Sequence, residues 1–120
     1  MTEIRVETSN ESGSFQLLAQ GHAGYSNQGG DIVCAAISAL CCTLAEMLTR
    51  LMQEGKAVLT RCEMTQAHVD IEAACAEGRA DARIALQTIL CGLEMLEIEY
   101  PAHVRIVVIP SEKSGGTKRK

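Results

Sequence analysis

The segment DIVCAAISALCCTLAEMLTRLMQEG, residues 31–55, carries the clearest structural signal in this chain of 120 residues. From Val33 to Leu51, apolar side chains recur at steps of three and four residues, as on the buried face of an amphipathic helix. Asp31 is a suitable N-cap residue, and Gly55 stands where a glycine commonly ends a helix. The segment therefore predicts one long helix that packs by a single face.

The residues before this helix are typical of a β-hairpin. Ile4 and Val6 alternate with charged residues, and a second strand is predicted over residues 15–20. Residues 10–13 have the composition of a turn. Residues 23–30 are rich in glycine and predict a mobile loop between the hairpin and the helix.

The residues after the helix predict two strands, a second helix and a last strand. The strands are expected at 57–65 and 67–74, the helix from Asp81 to about Leu96, and the last strand at 104–109. The nearly unbroken β-branched run at 104–109 predicts a strand buried on both faces at the centre of the sheet. The order β-β-α-β-β-α-β predicts an α+β fold, a mixed β-sheet with two helices. One domain is expected over residues 1–110, followed by a disordered basic tail over 111–120.

The composition excludes several classes of partner. The net charge of −4 and the presence of only three aromatic residues disfavour direct binding to nucleic acid. We find no secretory signal and no uninterrupted apolar run of the roughly 18 residues typical of a membrane span. A cytoplasmic protein that does not bind a membrane is expected.

The six cysteines are expected to be reduced, and five of them to be buried as small apolar residues. No C-x-x-C spacing occurs, so neither a zinc site nor another cofactor is expected. The cysteines are Cys34, Cys41, Cys42, Cys62, Cys75 and Cys91.

Cys34 and His22 form the candidate catalytic pair. Cys34 lies in the first turn of the predicted helix, where backbone N–H groups favour a thiolate and are expected to stabilise an oxyanion. His22 lies across the glycine-rich loop, where an imidazole folded back onto the thiol would act as a general base. A buried core thiol and a histidine bonded to a backbone carbonyl are the alternatives that position alone leaves open.

Four further polar residues have structural interpretations, and two of them, Asp31 and Ser38, also have a catalytic one. Asp31 is interpreted as a helix cap rather than an orienting third catalytic group. Ser38, one turn after Cys34, either supports the thiolate or bonds back within its own helix. His68 and His103 are expected to have structural or surface roles.

A resemblance to a known family rests on two motifs, Gly21-His22-Ala23-Gly24 and Gly30-Asp31-Ile32-Val33-Cys34-Ala35-Ala36-Ile37-Ser38. Together they resemble the signature of the bacterial ribosomal-processing cysteine protease family, Prp. The resemblance implies a catalytic dyad of His22 and Cys34 and a homodimer. It implies as substrate the N-terminal extension of one large-subunit ribosomal protein, number twenty-seven of the bacterial series. It also implies that the loop 23–30 orders over a bound peptide, so the candidate substrate-binding residues are Gly21, Ala23, Gly24, Tyr25, Ser26, Asn27, Gln28, Gly29 and Gly30.

Two hypotheses from other classes accompany this one. The first is a non-catalytic ribosome- or protein-binding module in which Cys34 is structural. The second is a redox sensor, which is the weakest because Cys41 lies roughly 10 Å along the same helix from Cys34, beyond the reach of a disulfide.

Overall fold

The computed structural model describes residues 1–9, 13–24 and 31–111. It confirms the predicted order of elements. These are β1 (Thr2–Ser9), β2 (Ser14–Gln20), α1 (Ile32–Gln53), β3 (Ala57–Thr65), β4 (His68–Cys75), α2 (Asp81–Glu99) and β5 (Val104–Ser111). Most of the predicted turn (residues 10–12 of 10–13) and most of the predicted loop (25–30) lie outside the described residues. Of the predicted tail over 111–120, Ser111 belongs to β5, and residues 112–120 lie outside the described residues.

The five strands form one mixed sheet in the order β3-β4-β2-β1-β5. All neighbouring pairs are antiparallel except β1 and β5, which are parallel. Strands β2 and β3 therefore run in the same direction with β4 between them, and α1 makes the crossover. Helix α2 likewise connects β4 to β5 across β2 and β1. Two strands that run in the same direction need a long crossover connection, and the helices α1 and α2 supply it for β2–β3 and for β4–β5.

The core lies between the two helices and one face of the sheet. Alternate residues of β1, β2 and β4 are buried on that face, among them Ile4, Leu17 and Ile71 at 0% exposure. Helix α1 contributes a buried stripe spaced by three and four residues, from Val33 to Leu51. The opposite face of these strands carries mostly polar residues, so the fold has two layers.

The prediction that the last strand is buried on both faces at the centre of the sheet is wrong. Among the described residues, strand β5 pairs only with β1 and forms an edge of the sheet, and its Val108 is 48% exposed. A β-branched run indicates a strand, but the crossover through α2 decides where that strand lies in the sheet.

Helix α1 is, by length and composition, apolar enough to cross a membrane. Its buried stripe packs on the sheet and on α2, as in the core helix of a folded domain.

Candidate active site

The N-terminus of α1 is built around the carboxylate of Asp31. Its Oδ1 accepts hydrogen bonds from the backbone N–H groups of Val33 and Cys34, both at 3.0 Å. The prediction that Asp31 caps the helix is therefore confirmed. In this structure both N–H groups donate to the cap, and the expectation that first-turn N–H groups stabilise an oxyanion stays a prediction.

Cys34 lies in the first turn of α1, as predicted, and opens onto a cavity of about 490 Å³. This volume is within the range of pockets that bind small molecules. The described residues that line the cavity are Thr2, Ala19, Gly21, His22, Gly24, Asp31, Cys34, Ala35, Ile37, Ser38 and residues 65–69. The structure thus brings Cys34, His22, Asp31 and Ser38 to one cavity, together with Gly21 and Gly24.

His22 is exposed and lines the cavity, but within the described part of the chain its ring makes no hydrogen bond to Cys34. The Sγ atom instead accepts a hydrogen bond from the backbone N–H of Ala23 at 3.1 Å. Hydrogen bonds between catalytic groups are often long or unformed without substrate. His22 and Cys34 line the same cavity and the imidazole is exposed, an arrangement compatible with a Cys–His pair that forms when substrate binds.

Ala23 is held more tightly than a residue of a mobile loop. Its side chain is 1% exposed, and its carbonyl oxygen lies 2.9 Å from Nδ1 of His103. His103 was expected to have a structural or surface role. It is half-buried and contacts the residue that joins His22 to the thiol.

Gly21, just before His22, adopts a φ of +95°, which side chains other than hydrogen disfavour. A Cβ added there would lie 2.7 Å from the carbonyl oxygen of Met1. The backbone N–H of Gly21 donates to the carbonyl of Ala67 at 3.0 Å. Glycine at this position therefore lets the chain pass between β1 and the β3–β4 turn.

The β3–β4 turn forms a wall of the cavity that sequence reasoning missed. Residues 65–69 line the cavity, and Ala67 adopts a φ of +70°, uncommon for a residue with a Cβ. His68, expected on a solvated face, is half-buried there. Nothing in the local sequence pattern indicates this, since the turn reaches the site only through strand pairing.

Ser38 lies on the cavity wall and is exposed. Among the described residues, its hydroxyl bonds neither to Cys34 nor back to its own helix, unlike Thr43 and Thr49, which both bond back. Neither of the two interpretations of Ser38 is therefore realised in this structure.

Three side chains near the turn could in principle hold a metal ion. Ligand atoms of Glu63, His68 and Asp70 all lie within 4.8 Å of one another. Asp70 already accepts a hydrogen bond from Gln16 at 2.9 Å and lies 3.6 Å from a guanidinium nitrogen of Arg61. Because that positive charge opposes a cation, the cluster is better suited to an ion pair.

The cysteines are free, but the prediction that five are buried is wrong. Cys41 is buried, Cys75 is half-buried, and Cys42, Cys62 and Cys91 are exposed. Burial, with a smaller effect of Cys42, raises the pKa of Cys41 to about 11. Cys41 is therefore a protonated thiol at neutral pH, which disfavours it as the disulfide partner of Cys34 that a redox sensor would need.

Comparison with known proteins identifies the family. The family model described as cysteine protease Prp matches residues 1–105. The ribosomal processing protease Prp of S. aureus with a covalently linked product peptide is 24% identical, with a TM-score of 0.71 over 90% of this chain and 99% of that chain. The same protease with a substrate peptide is 22% identical, with a TM-score of 0.64 over 90% and 99%. SMU.848 from Streptococcus mutans is 20% identical, with a TM-score of 0.62 over 92% and 96%.

None of the curated protein sequences matches this chain. The family match nevertheless spans both motifs around His22 and Cys34 and nearly every described element. The chain belongs to the cysteine protease Prp family.

Proposed function

We propose that this protein is a cysteine endopeptidase that removes the N-terminal extension of bacterial large-subunit ribosomal protein number twenty-seven. The observation that carries the proposal is the thiol of Cys34, which opens from the first turn of α1 into a cavity that His22 also lines. Family membership supports the reaction class. The S. aureus relatives, which are ribosomal processing proteases with substrate and product peptides, support a peptide as the substrate.

The proposed reaction passes through a thioester. His22 takes the proton of Cys34, and Sγ attacks the scissile carbonyl carbon, so that the carbonyl electron pair moves to oxygen. When the tetrahedral intermediate collapses, the C–N bond breaks and His22 gives its proton to the leaving amine. Water then attacks the thioester, His22 accepts a proton from it, and the carboxylic acid leaves as the Cys34 thiol re-forms.

The cavity also suits an apolar peptide. Ala19, Ile37 and Val69 contribute apolar surface to its walls, beside the polar groups of His22 and Asp31. Mostly apolar pockets with few polar groups are typical of ligand-binding sites. We therefore propose that an apolar side chain next to the scissile bond occupies this cavity.

The direct test is cleavage of the precursor of the ribosomal protein, followed by mass spectrometry. We expect one cut at the end of the extension, lost in Cys34→Ala and in His22→Ala. Cys42→Ala is the matched control, because this thiol is exposed on the same helix but does not line the cavity. Cleavage retained by Cys34→Ala would refute the proposal.

One observation favours the non-catalytic alternative, namely that His22 makes no hydrogen bond to Cys34 within the described part of the chain. A binding module would hold the precursor without cutting it, and Cys34 would react no faster than an ordinary exposed thiol. Iodoacetamide labelling at neutral pH, resolved by peptide mapping, separates the two. The rate at Cys34 must be compared with the rates at Cys42 and Cys91, since those exposed thiols also react.

We further propose that the enzyme is a cytoplasmic homodimer. Exposed apolar side chains on α2, Met95 at 69% and Ile98 at 78% exposure, offer surface that association could cover. Sedimentation equilibrium should then give twice the chain mass of 12.9 kDa. A monomer at micromolar concentration, or recovery of the protein in a membrane fraction, would contradict these proposals.

A further inference from the structure

The backbone of Ala23 is bonded on both sides. Its N–H donates to Sγ of Cys34 at 3.1 Å, and its carbonyl oxygen lies 2.9 Å from Nδ1 of His103. A carbonyl oxygen only accepts hydrogen bonds, so Nδ1 of His103 carries the proton in this contact. The imidazole of His103, 80 positions further along the chain, thus holds the backbone of Ala23. Ala23 directly follows His22 and donates to the thiol of Cys34.

His103 is itself held in place by its own backbone. Its carbonyl accepts a hydrogen bond from the N–H of Thr2 at 3.0 Å, and its N–H donates to the carbonyl of Tyr100 at 2.9 Å. These contacts tie the connection between α2 and β5 to the start of β1. Because they use main-chain atoms alone, a substitution of the ring leaves the connection anchored.

We propose that His103 is a positioning residue of the protease. Its Nδ1–H holds the carbonyl of Ala23, and so keeps the N–H of Ala23 at the sulfur of Cys34 and the backbone of His22 in place. His103 does not line the cavity, so it acts through Ala23 rather than on the substrate.

The N–H of Ala23 serves two stages of the reaction. Before attack, a donor at Sγ stabilises the thiolate. After attack, the oxyanion forms on the carbon bonded to that same sulfur, within reach of the same N–H. The N–H groups of Val33 and Cys34 already donate to Asp31, which leaves Ala23 as the donor observed at the sulfur. This catalytic part of the inference rests on the proposed function.

Three substitutions of His103 test the inference. Asn places an amide N–H at the same distance from Cβ as Nδ1, Gln places it one bond further, and Ala removes it. We expect His103→Ala and His103→Gln to lower the alkylation rate of Cys34 by iodoacetamide about tenfold, the worth of one ordinary hydrogen bond. They should lower kcat for precursor cleavage about 100-fold with little change in KM, as expected for a misplaced catalytic group. His103→Asn should stay within about threefold of the native chain in both assays.

The alkylation assay needs no substrate, so it tests the role of His103 even if the native chain does not cleave the precursor. A native chain without cleavage defeats the proposed function, whereas equal alkylation rates in the Ala, Asn and Gln variants defeat the positioning role. If His103→Ala does not fold, the comparison of Asn with Gln still decides. Equal rates in that pair overturn the inference, and rescue by Asn alone supports it.

Discussion

Replacing Gly21 with alanine perturbs the backbone next to His22 without touching a functional side chain. Gly21 has a φ of +95°, and an added Cβ would lie 2.7 Å from the carbonyl oxygen of Met1. The left-handed conformation costs an alanine about 1–2 kcal/mol. The Cβ must also displace a backbone atom, and overpacking of this kind costs about 1–3 kcal/mol. We therefore expect Gly21→Ala to lower the free energy of unfolding by about 2–5 kcal/mol.

Gly24→Ala provides the matched control. Gly24 also has a positive φ, +71°, but an added Cβ there would meet nothing within 4 Å. Only the conformational cost applies, so we expect a loss of about 1–2 kcal/mol. The difference between the two variants isolates the contact with Met1.

Urea unfolding followed by circular dichroism measures both variants, and precursor cleavage by the folded fraction measures the effect on the site. Gly21→Ala should lose much more activity than Gly24→Ala, because the displaced backbone carries His22. Losses of stability that agree within about 0.5 kcal/mol, below the overpacking cost, would refute the argument from the close approach.

Two further predictions concern the start and the buried face of α1. Asp31→Ala frees two N–H groups and should cost about 1–2 kcal/mol in urea unfolding, while Asp31→Asn retains the cap and should cost less than about 0.5 kcal/mol. Cleavage lost in Asp31→Asn despite native stability would show that the carboxylate has a catalytic role beyond capping. The pKa of Cys41 is raised from 9.0 to about 11 by burial. The contribution of this protonated thiol to the free energy of unfolding is therefore fully present below pH 9. That contribution, about 2–3 kcal/mol, is lost as the pH rises from 9 to 11, because the unfolded chain releases the proton first. Urea unfolding at pH 8 and pH 10.5 should show a smaller loss in Cys41→Ala than in the native chain, and equal losses would contradict the assignment.

The parts of the fold that depend on neighbouring residues were predictable. The cap at Asp31, the spacing of the apolar stripe and Gly55 together locate α1, because capping and amphipathicity act within a few residues. The position of Cys34 in the first turn follows from the same pattern. The order of elements follows from the alternation of the two periods along the chain.

The parts that depend on tertiary pairing were not predictable. The position of β5 at an edge, the wall formed by residues 65–69 and the contact between His103 and Ala23 all join residues distant in sequence. The exposed thiols are a different case. Adjacent helical residues point about 100° apart, so the stripe that buries Cys41 also turns Cys42 outward. That signal was present in the sequence.

The β3–β4 turn offers a way to redesign the enzyme. It is joined to the Gly21 segment through main-chain atoms alone, the N–H of Gly21 and the carbonyl of Ala67. The side chains of Thr65 and Gln66 are exposed on the cavity wall and make no contribution to that link. A library confined to these two positions would reshape the surface that meets the peptide while the thiol, the cap and the sheet stay as they are. We expect such a library to yield variants with altered peptide preference at unchanged stability.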